Sequence, residues 1–142
     1  MALTPTTIGN NSSAPGGVAN IFVPDQLIAG PFQPVTHNIT VLSGQGVLKR
    51  GTLIGRVTAS GKYIKSLAGA SDGSQTVLAV LADDVDATSA DALGGAYLSG
   101  EFNANAMTYD VSWTLSALQL AGRAYDIYVK QMSAAMSAAD PT

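Results

Sequence analysis

Thr76-Val77-Leu78-Ala79-Val80-Leu81 is a nearly continuous apolar run of strand length. A run without polar alternation predicts a strand covered on both faces, and so a layer on either side of it. Working outward, Val47-Leu48-Lys49-Arg50-Gly51-Thr52-Leu53-Ile54-Gly55-Arg56-Val57-Thr58 partly alternates, with Gly51 and Gly55 marking a turn or bulge. Ile39-Thr40-Val41-Leu42 is short and β-branched, and Ala59-Ser60-Gly61-Lys62 supplies turn chemistry before Tyr63-Ile64. Asp72-Gly73 sits in a run of small polar residues and accepts positive φ. Gly95-Ala96-Tyr97-Leu98-Ser99-Gly100-Glu101-Phe102 reads as a further strand between glycines. Short strands parted by glycine-rich turns predict an α+β, mainly β fold: a small antiparallel β-body over residues 38–130.

One helix is expected. Trp113, Leu115, Leu118 and Ala121 or Gly122 recur at spacings near three and four, with Ser112 or Thr114 to cap the start. Gly122 fits the stop, because helices often close on a left-handed residue. Ala124-Tyr125-Asp126-Ile127-Tyr128-Val129 then reads as a closing strand, followed by a tail over residues 131–142. Tyr97, Phe102, Tyr109, Trp113, Tyr125 and Tyr128 are most simply core aromatics, and Trp113 could instead anchor an interface.

Proline placement sets off the front. Pro5, Pro15, Pro24, Pro31 and Pro34 fall in the first 34 residues, and the sixth proline is Pro141. Gly9-Asn10-Asn11-Ser12-Ser13-Ala14-Pro15-Gly16-Gly17 supports neither helix nor central strand. Residues 1–37 are therefore expected to form an extended N-terminal arm, ordered only when something holds it.

Composition removes several classes of function. The chain has 142 residues, which fits one domain. Its charged fraction is 12%, about half the usual share of roughly 25%, so small neutral side chains meet the solvent. Such a surface suits packing against protein better than attracting nucleic acid, and the net charge of −3 argues the same way. Zero cysteine removes disulfides, thiolate nucleophiles and cysteine-bound zinc. No apolar run reaches 18 residues, so no helix is expected to span a membrane. The first residues carry no Lys or Arg, and no secretory signal is expected.

The search for chemistry finds no constellation. Asp83-Asp84-Val85-Asp86 with Asp91 offers carboxylates, but the spacing does not match a twelve-residue calcium loop. His37 is the only imidazole, which suits neither a triad base nor a zinc set. Gly94-Gly95 and Gly69-Ala70-Ser71-Asp72-Gly73-Ser74 match no phosphate-binding fingerprint. No catalytic residue, cofactor, metal or small-molecule substrate is expected. Charge is segregated instead: Lys49, Arg50, Arg56, Lys62 and Lys65 fall in an acid-free stretch, followed by a base-free stretch holding Asp72, Asp83, Asp84, Asp86, Asp91, Glu101 and Asp110. The two blocks could neutralise each other within one body, or meet head to tail between identical subunits. On the second reading Arg56, Lys62, Asp83 and Asp84 are candidate interface residues, with Trp113.

Gly51-Thr52-Leu53-Ile54-Gly55, then Tyr63, then Gly69 through Asp86, then Tyr97-Leu98-Ser99-Gly100-Glu101-Phe102-Asn103 form an ordered series of strand and turn phrases. Together with Leu120-Ala121-Gly122-Arg123-Ala124-Tyr125-Asp126-Ile127, this series resembles the head decoration protein family of tailed bacteriophages, the lambda capsid-stabilising protein D group. The resemblance covers roughly residues 45 to 130; the longer front end and the Ala/Ser/Met tail depart from the smallest members. It implies a virion structural protein that forms homotrimers on the outer surface of the expanded capsid at three-fold positions. Its partners would be the major capsid protein and itself, and it would be made in the host cytoplasm. The arm would then touch the shell, with Thr6, Thr7, Ile8, Ile21, Phe22 and Val23 as expected contacts and Pro15 limiting the disorder lost on docking. The alternative is another non-enzymatic virion module, such as a tail component or a displayed carbohydrate-binding domain.

Overall fold

A computed structural model describes residues 26–131 of the chain. Eight strands form: β1 (Val35–Val41), β2 (Gly46–Leu48), β3 (Leu53–Arg56), β4 (Tyr63–Lys65), β5 (Ala79–Leu81), β6 (Val85–Ala87), β7 (Ala92–Asn103) and β8 (Ile127–Lys130). One helix, α1 (Leu115–Gly122), lies before β8. The mainly β body with a single short helix is the one the sequence predicts.

Strand β7 is the spine. Its first half pairs antiparallel with β1, from Val35↔Ser99 to Val41↔Ala92, and its middle pairs antiparallel with β5 through Val80↔Tyr97 and Leu81↔Ala96. β5 continues to β3, and β3 to β4, both antiparallel. β4 then meets β1 in parallel at a single pair, Val41↔Tyr63. The pairings thus run β1-β4-β3-β5-β7 and return to β1, a ring of five strands. β8 adds to the far half of β7 in parallel, from Gly100↔Ile127 to Asn103↔Lys130. The expected all-antiparallel pairing is corrected at these two places, each of which joins strands separated by long crossovers rather than hairpins.

Alternation along the strands feeds two cores. Leu53, Val80 and Phe102 pack with Trp113 and Leu118 of the helical side and with Ile127 and Val129 of β8. Ile54, Ala79, Leu81 and Ala96 pack on the opposite face with Ile39, Val41, Leu48 and Val85. Ala79, Val80 and Leu81 are wholly buried, as a strand between two layers requires. The second core is closed by an antiparallel ribbon of β2 and β6. β6 lies within the acidic stretch, where Val85 and Ala87 turn inward while Asp86 faces solvent.

Glycine at position 55 is fixed by space rather than by a turn. A Cβ there would lie 2.2 Å from the Ser74 carbonyl oxygen and 2.7 Å from that of Thr76. Gly51, by contrast, does turn the chain, at φ 87°. The helix starts where expected: the Thr114 hydroxyl accepts from the Ala117 amide. Its stop differs. Gly122 is helical at φ −64°, the coil tightens into a 3-10 turn over Arg123–Tyr125, and Asp126 at φ 56° is the left-handed residue. The closing strand accordingly begins at Ile127 rather than Ala124. Gly122 is needed for closeness, since a Cβ would meet the Ile127 carbonyl oxygen at 2.4 Å.

The front boundary also moves. Residues 26–37, read as part of the arm, are packed on the body: Leu27 is 1% exposed in the first core, and β1 already begins at Val35. Backbone bonds tie this segment down, from the Asn103 amide to the Leu27 carbonyl and from the Ala29 amide to the Glu101 carbonyl. Leu27 and Ile28 between prolines carry no period that says which turns inward, so the burial of Leu27 is a tertiary effect. Only the arm residues up to 25 fall outside the described region.

Candidate functional site: the arm root and the charged rim

The expected shell contacts Thr6, Thr7, Ile8, Pro15, Ile21, Phe22 and Val23 lie outside the described residues. Their point of attachment is well defined. The chain enters the body at Gln26 beside the end of β7, where Leu27 bonds Asn103 on one edge. On the other edge Asn103 pairs with Lys130, one residue before the described chain ends. Both terminal continuations therefore leave from the two flanks of one residue.

Exposed apolar side chains surround that point. Phe32 stands edge-on to Tyr128 at 5.7 Å between ring centres, and the two are 43% and 37% exposed. Ile28 and Val35 are exposed beside them in sequence. Glu101 fastens the group: its carboxylate accepts from the Phe32 amide at 3.1 Å and pairs with Lys130 Nζ at 2.6 Å. Lys130 and then the Phe32 amide hold the Glu101 carboxyl below its ordinary value. The sequence reading placed Tyr128 in the core and passed over Phe32; the alternation of β8, with Ile127 and Val129 buried, is the signal that puts Tyr128 outside.

The proposed subunit-interface residues divide. Arg56 and Lys62 do come together, lining an open groove of about 560 Å³ with His37, Asn38, Ile39, Thr40 and Tyr63. Arg56 Nε donates to the Gly61 carbonyl at 3.1 Å, and Lys62 pairs with Asp91. Asp84 instead closes a turn, accepting from the Arg50 amide at 2.8 Å and from Lys49 Nζ at 2.9 Å, while Asp83 is exposed. Trp113 takes the core place that the sequence favours over an interface anchor: it is buried, and its Nε1 donates to Ser66 Oγ at 3.2 Å.

The charge blocks meet within the body. Lys49, Lys62 and Lys65 of the basic stretch pair with Asp84, Asp91 and Asp110 of the acidic one. Hydrogen bonds hold several carboxyls below an ordinary 3.8: Asp72 by the Ser74 hydroxyl, Asp84 by the Arg50 amide, Asp86 by the Thr88 hydroxyl, Asp91 by Lys62 and Asp110 by the Ser112 amide. A carboxyl depressed in the fold contributes stability that is complete above its unfolded value and lost as pH falls through its folded one. The thermal midpoint should therefore hold from neutrality to about pH 5 and fall steadily below about pH 4. Added salt should leave most of that fall in place. At Asp72, Asp86 and Asp110 the leading cause is a hydroxyl or amide donor rather than a cation. A midpoint rising on acidification would contradict the assignment.

Among the described residues no three His, Cys, Asp or Glu side chains gather as a metal site, and no helix is long and apolar enough to cross a membrane. No curated protein matches the chain. The family model described as Bacteriophage lambda head decoration protein D matches residues 23–125, from just ahead of Leu27 to the turn before β8. That match spans the ring of strands, the helix and both cores up to β8, whose Ile127 and Val129 lie beyond it, and on it the chain belongs to the phage lambda head decoration protein D family.

Proposed function

We propose that the chain is a cementing protein that sits as a trimer at three-fold positions on the outside of an expanded phage head. There it would resist separation of shell subunits under the pressure of packaged DNA. The observation that carries this reading is the junction at Asn103. The described chain of a double-cored body begins at Gln26 on its central strand, beside exposed Phe32 and Tyr128. That placement suits a body seated root-side down, with the leading part of the front segment laid on the shell.

An extended segment can add a strand to an exposed sheet edge of the shell protein through main-chain hydrogen bonds. Thr6-Thr7-Ile8 has the β-branched content for this. Three linked arms turn weak contacts into strong ones. If each supplied about 4 kcal/mol, a millimolar affinity alone, linkage would bring the whole near nanomolar. No bond is made or broken in this function.

The test is direct. Full-length protein added to undecorated expanded shells should raise their heat resistance, and imaging should place three copies around each three-fold position. Density on the tail, or shells no more resistant than before, would sink the reading.

A further inference from the structure

The ring of strands has a split seam. β1 is paired along its whole length with β7, but on its other edge it meets β4 only at Val41↔Tyr63, with the Leu42 amide bonding the Tyr63 carbonyl just beyond. Among the described residues no strand pairs with that edge between Val35 and Thr40. The groove lined by His37–Thr40 and by Arg56, Gly61, Lys62 and Tyr63 runs along this opening. Val35, Thr36, His37 and Asn38 are all exposed.

An open strand edge is a template for another chain, and proteins ordinarily guard such edges with charge, proline or a cover. Val35-Thr36-His37-Asn38-Ile39-Thr40-Val41 carries no Lys, Arg, Asp, Glu or Pro. It is β-branched at five of seven positions, which favours strand addition rather than prevents it.

We propose that this edge receives residues 19–25 of a second copy of the chain, so that the roots of the arms are exchanged between neighbouring bodies. Ala19-Asn20-Ile21-Phe22-Val23 is uncharged and rich in strand formers, and Val23 is biased toward extended backbone because Pro24 follows it. Its five residues are long enough to span the four residues of β1 that line the groove. Asp25 brings a carboxylate toward a rim bearing Arg56 and Lys62.

Reach decides between the chain's own segment and a neighbour's. Gln26 lies at the Asn103 end of β7, whereas the groove opens beside the partners of Ala96 through Leu93. From Asn103 to Ala96 is about 23 Å of strand at roughly 3.3 Å per residue. Val23 can stand no more than about 10 Å from Gln26, and Ile21 about 17 Å. Over a strand of that length the chain's own Ile21-Phe22-Val23 falls short of its own groove, which favours entry into that of another body. This assignment rests on residues 1–25 acting as an arm, and it leaves Thr6-Thr7-Ile8 for the shell.

The chain has no cysteine, so single thiols report cleanly. Full-length Ile21→Cys, Phe22→Cys and Val23→Cys chains are each mixed with Asn38→Cys chains and oxidised, free and on decorated shells. Neighbouring strands bring α-carbons to about 4.5–5.5 Å, within disulfide range. At least one arm position should cross-link between chains about tenfold faster than Val111→Cys, a fully exposed control, in one setting or both. Phe22→Asp, placed outside the described body, should lower Ile21→Cys cross-linking about tenfold. Rates no better than the control in both settings would overturn the proposal, as would cross-links closing within single chains carrying both thiols. Shell binding is read on the same samples. Its loss with cross-links intact counts against the capsid role alone, and its survival without cross-links against arm exchange alone.

Discussion

Chains lacking residues 1–25 should keep their thermal midpoint and lose shell protection, with half-occupancy shifted by at least about a hundredfold, the lower end of what linked sites gain. The body is expected to survive because the truncation ends just before Leu27, which remains to fill the first core. Removal of residues 1–37 is a different experiment. It deletes Leu27, parts Phe32 from Tyr128 and strips Val35–His37 from the pairing with Ser99, Tyr97 and Ala96. Emptying a buried leucine site costs about 2–5 kcal/mol, against a total near 5–15 kcal/mol for an ordinary domain. The longer truncation should thus be marginal or unfolded, and its failure to bind would say nothing about the arm. Sedimentation of each variant with expanded shells, beside its own melting curve, separates the two causes. Full binding by the folded shorter truncation would remove the arm from the mechanism.

Gly55→Ala should be the most damaging single methyl in the body. The added carbon would press on two backbone carbonyls, Ser74 at 2.2 Å and Thr76 at 2.7 Å, neither of which can swing aside as a side-chain end would. The 73–76 segment would have to part from β3, exposing Ser74 and Ser66, whose hydroxyl donates to the Ser74 carbonyl at 2.7 Å. A loss of about 3 kcal/mol, the upper range for overpacking, is expected in urea unfolding. Gly69→Ala is the matched control, with no atom within 4 Å of the new carbon, and should stay within about 0.5 kcal/mol of the parent. Equal midpoints for the two variants would show that β3 and the 73–76 segment do not approach so closely.

What the sequence disclosed was what local chemistry controls. The Thr114 cap, the run into Ala79–Leu81 and the strand ending at Phe102 announce themselves through hydroxyls and apolar runs. Leu27 and Val85 did not, because each lies in a short stretch between prolines or acids with no period to follow and its burial depends on partners far along the chain. Gly55 and Gly122 were read as punctuation, since closeness to a distant carbonyl leaves no mark in neighbouring residues. Of the candidate site, the separation of charge was visible and its pairing was not: Lys49 and Asp84 lie 35 positions apart. The open edge of β1 is a property of the whole ring and could not be read from β1 alone.

The attachment of the front segment also sets how the molecule carries a load. Residues 27–29 run antiparallel to Glu101–Asn103 and are bonded along their length to the strand that borders β1, β5 and β8. A pull at residue 26 along that strand's axis would strain the bonds together, in shear, rather than peel them one by one. On the proposed seating, swelling of the shell would then pass its load into that central strand.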